Sequence, residues 1–365
     1  MEPIVKFVEC LLPVTACNLK CSYCYVIQED RRKLQIPDLD FSLDTIQYAL
    51  RKERFGGTCY FSICGAGETL IPSYMPELAA RILANGHYVN ITTNGTITKR
   101  FDELLSRLTD KEKEKLHFAF SLHYVELKRL NLLETFFANV NKVRGEGCSV
   151  VVQLNMCDEY MPLIDEIKEV CMNHIGALPQ IAVTRKEESF PVKHVSLHTE
   201  GSQEDYIKAG QEFDSPLFEF TLKNFLVKRK EFCYAGEWTY QLNLQTGMMK
   251  RCYNSCVFQN IFKHPDAPIM HVAVGRACNS PYCFNSSHFM SQGVIPEIEC
   301  PSYQALRDRP EARWYNDTMK QALSGKLYET NKEYGVWGKI KSTAFGIVDK
   351  PLYKLYSFYL SVKKK

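Results

Sequence analysis

Three cysteines, Cys17, Cys21 and Cys24, fall at spacings of four and three residues in the stretch Cys17-Asn18-Leu19-Lys20-Cys21-Ser22-Tyr23-Cys24-Tyr25. This short polar stretch follows a mostly apolar run from Val8 to Val14. Three thiolates can hold three irons of a cubane [4Fe–4S] cluster, which normally takes four cysteine ligands. The next cysteine is Cys59, so no fourth ligand follows nearby. One iron would then lack a protein ligand and stand open to a small molecule. The competing readings are a three-ligand zinc knot and a ferredoxin-like electron carrier. A zinc site usually brings a second CxxC or a His pair nearby, and none follows here.

At 365 residues the chain has room for about two domains. Its 45% apolar and 24% charged residues are those of an ordinary globular protein. A net charge of +3 with no basic stripe before the tail gives no argument for nucleic acid. There are fifteen cysteines. The N-terminal run is broken by Lys6 and Glu9 and does not read as a signal peptide. No stretch is long and apolar enough for a transmembrane helix. The expectation is a reducing cytoplasm, where clustered cysteines are more often metal ligands or catalytic groups than disulfides.

Short runs rich in β-branched and aromatic residues give six strand candidates: Val8 to Val14, Thr58 to Ile63, Tyr88 to Thr92, Leu116 to Leu122, Ser149 to Asn155 and Gln180 to Val183. Helical patterns lie between them, near Phe41 to Arg54 with Ser42 as N-cap, after Pro72 as far as Asn85-Gly86, and near Phe101 to Leu108, Val125 to Arg144 and Leu163 to His174. Such βα repetition predicts an α/β fold on a parallel sheet. Six units with short loops fit an open or partial barrel, whose active groups collect at the carboxyl ends of the strands. The cysteine stretch follows the first strand, at that end.

The CxxxCxxC spacing, with aromatic Tyr23 before the last cysteine, resembles the radical SAM family over roughly residues 5 to 185. The resemblance implies a partial (β/α)6 barrel. Its cluster, held by Cys17, Cys21 and Cys24, would chelate S-adenosylmethionine and cleave it reductively to a 5′-deoxyadenosyl radical. It also implies cofactor contacts from Tyr23 and from the loop Cys64-Gly65-Ala66-Gly67-Glu68-Thr69. The family usually carries Gly-Gly-Glu-Pro there; here Ala66 replaces the first glycine and Thr69 the proline. Thr93-Asn94-Gly95 matches an element lining the family's cavity, and Ser121-Leu122-His123 resembles its Ser-Leu-Asp element. Asn94, Ser121 and Asn155 are therefore expected at the cofactor. Asn94-Gly95 is also an ordinary turn pair. His123 reads equally as an acid/base and as a plain loop histidine, and Arg185 as a carboxylate partner or a surface residue.

Residues 186 to 230 read as a bridge, with solvent-facing loops at Lys186-Glu187-Glu188 and Thr199 to Ser202 and a helix over Phe213 to Lys230. From Cys233 on, Trp238 to Leu244 alternates like a strand, Gln245-Thr246-Gly247 is a hairpin turn, and Met248 to Arg251 returns into Cys252. This hairpin resembles the opening of the SPASM/Twitch extension of radical SAM enzymes. With Cys278 and Cys283 of Cys278-Asn279-Ser280-Pro281-Tyr282-Cys283 it implies one auxiliary [4Fe–4S] cluster on Cys233, Cys252, Cys278 and Cys283. The full SPASM pattern has further cysteines, and only Cys256 and Cys300 remain. A second, partly ligated cluster and a four-cysteine zinc hairpin are the alternatives. The expected divisions are a barrel over 1–190, a bridge over 191–230, an auxiliary domain over 231–305 and a tail over 306–365.

The chemistry implied is hydrogen abstraction from a substrate carbon, then oxidation or epimerisation. Cys157, in the loop after the fifth strand, is a candidate hydrogen donor, although a simple loop thiol is the blander reading. Tyr253 stands where sulfatase-maturing relatives carry an Asp, and no domain precedes the first strand to grip a leader peptide. Both points favour a small or sugar-like substrate over a peptide or protein side chain. An electron donor such as flavodoxin or ferredoxin is implied. The aromatic run Leu352 to Leu360, followed by Lys363-Lys364-Lys365, packs on the barrel or a partner, or docks peripherally at a membrane surface.

Overall fold

A computed structural model describes residues 2–28, 32–187, 195–278, 280, 282–283 and 286–363. Glu188, Asn279, Pro281, Lys364 and Lys365, named above in loops and in the tail, lie outside the described residues.

The expected parallel sheet is present. Strands β1 (Lys6–Leu12), β2 (Cys59–Gly65), β3 (Tyr88–Thr93), β4 (Leu116–Ser121), β5 (Ser149–Asn155) and β6 (Gln180–Ala182) pair in chain order, every neighbouring pair parallel. Alternation of the side chains splits each strand between two buried faces. Phe61, Ile63, Val89, Ile91, Phe118 and Phe120 are all solvent-excluded, as covered parallel strands require. Helices Met75–Ala84, Thr98–Leu105, Leu133–Gly145 and Ile164–Ile175 follow β2 to β5. A short antiparallel pair, β7 (Arg185–Glu187) and β8 (Val195–Leu197), forms a separate two-stranded sheet with Arg185 at its start.

The hairpin expected after residue 238 does not stand alone. Strand β9 (Thr239–Asn243) pairs parallel with β1 on the side away from β2, and β10 (Met248–Lys250) and β11 (Val257–Asn260) continue antiparallel. The result is a nine-stranded sheet in the order β11-β10-β9-β1-β2-β3-β4-β5-β6. Pairing with the hairpin supplies β1 with backbone partners along both edges, which a strand at the open side of a partial barrel would otherwise lack.

Two long helical patterns are broken by tertiary demands. The stretch from Phe41 divides into Leu43–Ala49, capped by Ser42 Oγ accepting from Thr45 N–H, and Lys52–Phe55. Arg51, between them, is extended. The stretch from Val125 divides into Tyr124–Arg129 and Leu133–Gly145 at Asn131, whose φ is +55°. Between β6 and β9 the helices are Gln203–Gln211 and Pro216–Asn224, the second ending where Phe225 becomes extended.

The chain from Tyr303 to Asn316 closes the amino end of the barrel. Tyr303 packs on Phe7 and Tyr60 with ring centroids 5.8 and 5.6 Å apart, and Tyr315 on His117 at 4.8 Å. Asn316 N–H donates to Ser149 Oγ at 3.0 Å. Helices Asp317–Ser324, Leu327–Thr330 and Val336–Lys363 complete the described chain.

His87, fully buried, joins the start of β2 to the break in the first helix. The Cys59 N–H donates to its Nδ1 at 3.0 Å, so the ring's proton sits on Nε2, which donates to the Leu50 carbonyl at 2.7 Å. Burial pushes its pKa down to about 4 from an ordinary 6.5. The unfolded chain therefore binds this proton below pH 6.5 and the folded chain does not until about pH 4. The contribution is complete above pH 6.5 and is lost as pH falls, by about 2 kcal/mol at pH 5. Guanidinium unfolding at pH 7 and pH 5 checks this. The wild type should lose about 2 kcal/mol more between the two than His87→Gln, and equal losses would exclude the buried neutral ring as a cause.

Candidate functional site

The cysteine loop leaves β1 at its carboxyl end and is pinned from several sides. Thr15 and Ala16 N–H groups both donate to the Gln35 carbonyl, at 2.9 and 3.2 Å. The Arg32 guanidinium donates to the Cys17 carbonyl at 2.7 Å, and the Glu126 carboxylate accepts from Lys20 N–H at 2.9 Å. Asn94 Nδ2 donates to Asn18 Oδ1, and Asn18 Nδ2 to Thr96 Oγ1, both at 2.8 Å. Cys24 N–H donates to the Cys21 carbonyl at 3.2 Å, which holds those two residues in one turn.

Cys17, Cys21 and Cys24 form one side of a cavity of about 290 Å³. The rest of its wall comes from the carboxyl ends of four further strands and the residues just past them: Cys64 to Thr69 at β2, Thr92 to Asn94 at β3, Ser121 and His123 at β4, and Gln153 and Asn155 at β5. The structure thus brings Cys17, Cys21, Cys24, Ala66, Gly67, Glu68, Asn94, Ser121, His123 and Asn155 around one space. Burial, then the neighbouring Cys24 and Cys17, push the Cys21 thiol up to about 12, and burial raises Cys17. Three crowded, half-buried thiols give up their protons only to a strongly cationic centre. This donor set fits an iron cluster.

The loop after β2 has a different first duty from the one its glycines suggest. Ala66, Gly67 and Glu68 N–H groups donate in turn to the carbonyls of Leu12, Val14 and Ala16, at 3.4, 2.6 and 2.9 Å, extending the pairing of β1 and β2. A Cβ on Gly67 would lie 2.2 Å from the Ala16 carbonyl oxygen. Glycine is required there by contact with the cysteine loop itself. Thr69, in the family's proline position, accepts from Gly65 N–H through Oγ1 at 2.8 Å. Its hydroxyl closes the turn by a hydrogen bond that proline has no side-chain atom to make.

Glu68 is the clamp between the two loops. Its Oε1 accepts from Leu70 N–H at 2.9 Å and from Thr93 Oγ1 at 2.6 Å, and its Oε2 accepts from Asn94 N–H at 2.7 Å. These bonds favour the carboxylate, yet complete burial outweighs them and raises its pKa. Asn94 in turn reaches Asn18, so the carboxylate is linked through β3 to the cysteine loop.

Tyr23 and Cys157 are not in the cavity wall. The Tyr23 hydroxyl points into the protein, 2.6 Å from His123 Nδ1 and 3.0 Å from the Tyr160 hydroxyl. Cys157 is buried beside Tyr160 at the start of the turn Asp158–Leu163, its thiol pushed up to about 12 by burial. Burial pushes His123 down to about 4, so its ring is neutral at pH 7. Sequence reasoning did not single out Arg32, Asn18 or Gln153. Arg32 stands between Arg31 and Lys33 in a charged run, and nothing in a linear pattern marks which of three cations turns inward.

The second cysteine set also converges. Cys233, Cys252, Cys278 and Cys283 line one enclosed pocket of about 40 Å³. Cys233 forms a two-way backbone bridge with Gly275, at 3.2 and 2.9 Å, and Cys252 N–H donates to Ser255 Oγ at 3.0 Å. Burial, then Cys252 and Cys278, hold the Cys233 thiol well above its usual range. Cys256 faces Asp349 and Cys300 faces Lys326, and neither lines the pocket. Among the described residues no three His, Cys, Asp or Glu side chains close around a single point as ligands of one metal ion. One zinc draws its sulfurs to about 2.3 Å, whereas a cubane spreads them over separate irons.

A parallel partial barrel with a thiol triad and a cofactor-sized cavity at its strand ends defines a cluster-dependent barrel domain. Residues 11–167 match the family model of the Radical SAM superfamily, whose members use S-adenosylmethionine and a [4Fe–4S] cluster. Similar solved structures include SuiB of Streptococcus suis, with 13% identity and a TM-score of 0.49, covering 72% of this chain and 64% of that one. The chain thus spans less than two thirds of SuiB. Native anSMEcpe with bound AdoMet has 14% identity and a TM-score of 0.46, covering 97% and 100%. BtrN in complex with AdoMet and 2-DOIA has 15% identity and a TM-score of 0.42, covering 78% and 94%. No curated protein matches the chain.

Glu68→Ala should leave three buried donors without an acceptor and cost about 3 kcal/mol of stability. Glu68→Gln, which keeps one acceptor oxygen, should cost less. Denaturant titration of both variants measures this, and a change below about 0.5 kcal/mol in Glu68→Ala would remove Glu68 from the role of clamp.

Proposed function

We propose that this protein is a radical SAM enzyme that abstracts hydrogen from a carbon of a small or sugar-like substrate, with oxidation as the outcome and one auxiliary cluster on Cys233, Cys252, Cys278 and Cys283. The observation that carries the reading is the convergence of Cys17, Cys21, Cys24, Ala66 to Glu68, Asn94, Ser121 and Asn155 on one cavity. When bound, the first cluster and S-adenosylmethionine supply a 5′-deoxyadenosyl radical, and the second cluster supplies an electron acceptor.

The chain's own part is positioning and proton handling. Ser121 and Asn155 offer polar groups along the cavity wall, and the Ala66 to Glu68 backbone offers its remaining donors and acceptors. His123, neutral at pH 7, is held at the cavity wall by the hydrogen bond between its Nδ1 and the Tyr23 hydroxyl. The wall around the radical carbon must also hold the target hydrogen in place, since a misplaced primary radical would attack the protein.

Oxidation over epimerisation is favoured by what lies between the two cysteine sites. Cys64, in the cavity wall, points its thiol at Glu9 Oε1 from 3.9 Å, and His288 Nδ1 lies 3.0 Å from Glu9 Oε2. Tyr253, directly after Cys252, also hydrogen-bonds Glu9. A buried carboxylate with an imidazole beside it can hold the proton that an alcohol loses on becoming a carbonyl. Cys157, the candidate hydrogen donor for inversion, is outside the cavity wall. A one-electron donor of the flavodoxin or ferredoxin type would supply the reducing electron.

Anaerobically reconstituted protein given a reductant should release 5′-deoxyadenosine, and Cys17→Ala, Cys21→Ala or Cys24→Ala should abolish that release. Absence of the product from iron-replete wild type would overturn the reading. Cys252→Ala should lower iron from about eight to about four per chain while cofactor cleavage persists. A variant that keeps its full iron would remove the auxiliary site.

A further inference from the structure

Over its described side chains the helix Val336–Lys363 packs on the protein by one face only. Ser342 and Asp349 are buried. Asp349 pairs with the buried Arg251 beside the auxiliary cysteine pocket. A Cβ on Gly346 would meet the Ala277 Cβ at 2.5 Å and the Val274 carbonyl at 3.1 Å, so the helix crosses that loop in backbone contact. The face turned away from these contacts is apolar. Trp337 is 83% exposed, Ile340 53%, Ile347 60%, Val348 63%, Leu352 53% and Leu355 66%. These positions recur at intervals of three, four and seven residues, the period of one helix face. Elsewhere the large exposed apolar side chains are scattered, which is ordinary for a protein surface; this row is contiguous.

The charges on the helix specify what covers that face. Its cations are Lys339, Lys341, Lys350, Lys354 and Lys363, and its only acid, Asp349, is consumed by Arg251. At 100° per residue Lys354 falls at one edge of the exposed row, and Lys341 falls within it, between the angular positions of Val348 and Leu352. A protein groove of mixed charge does not call for five lysines on a helix whose one acid is already taken, whereas an anionic bilayer surface does. No helix of the described residues is long and apolar enough to cross a membrane. A helix with one apolar face and a net basic charge lies in the plane of the interface instead.

We propose that Val336–Lys363 docks this protein on the surface of an anionic membrane, with Trp337, Ile340, Ile347, Val348, Leu352 and Leu355 inserted among the acyl chains and Lys341 and Lys354 at the headgroups. The docking is independent of the reaction proposed above. The buried face, with Gly346 and Asp349, ties the helix to the auxiliary cysteine pocket, so that pocket stands close to the lipid surface.

Trp337 reports on this directly, because the other two tryptophans, Trp238 and Trp314, are buried. The test uses the full chain with vesicles of phosphatidylcholine alone and vesicles containing about 30 mol % phosphatidylglycerol. Expected are co-sedimentation with the anionic vesicles only, a blue shift of tryptophan emission, and weakening by salt. The double variant Ile347→Glu/Leu355→Glu, altered only at exposed positions, should keep its circular dichroism and bind at least roughly tenfold less. Failure to bind anionic vesicles, equal binding by the double variant, or a dimer in light scattering that shields Trp337 without lipid would each overturn the proposal.

Discussion

Strand β1 is the element on which both cysteine sites depend. It is hydrogen-bonded in parallel to β2 on one edge and to β9 on the other, with Glu9 level with Ser62 and Gln241. The cysteine loop extends from its carboxyl end. The hairpin that carries Cys252 hangs from its outer edge. A parallel pairing shared by both halves sets the distance between the two sites with the stiffness of a sheet rather than of a linker. Sites that keep a fixed separation are best carried on such a rigid element.

The first site is built by contact between loops more than by any one side chain. The backbone from Ala66 to Glu68 runs along that from Leu12 to Ala16. Gly67 is there because a Cβ has no room. Glu68 then fastens this double layer to β3, through Thr93 and the Asn94 amide. The fully buried carboxylate costs desolvation, and the three donors offset part of it. The same carboxylate therefore stiffens the cavity wall whether or not it also meets the cofactor.

Much of this was legible in the chain. The six barrel strands fall within two residues of their expected starts, because each is a short β-branched or aromatic run that parallel sheets bury on both faces. The thiol triad, the Ala66 to Glu68 loop, Asn94, Ser121 and Asn155 could be placed at the mouth because they follow strands. Less legible were the breaks at Arg51 and Asn131, where helical periodicity continues through the break. There the hydrogen bond from His87 to Leu50 and the return of the chain onto the barrel override local preference.

The sequence by itself determined where the thiols stand along the chain, three at spacings of four and three and four more downstream, a pattern typical of metal ligands. It also determined the barrel, through hydrophobic runs whose period needs no long-range information. Only the tertiary structure decided that the downstream hairpin joins the barrel sheet and that Cys157 and Tyr23 turn away from the cavity. Nor could the chain alone reveal that Glu9 meets His288 and Tyr253, or that one face of the last helix is left bare. Each of these depends on side chains far apart in sequence competing for the same space. Pairwise spacing along a chain carries no record of that competition.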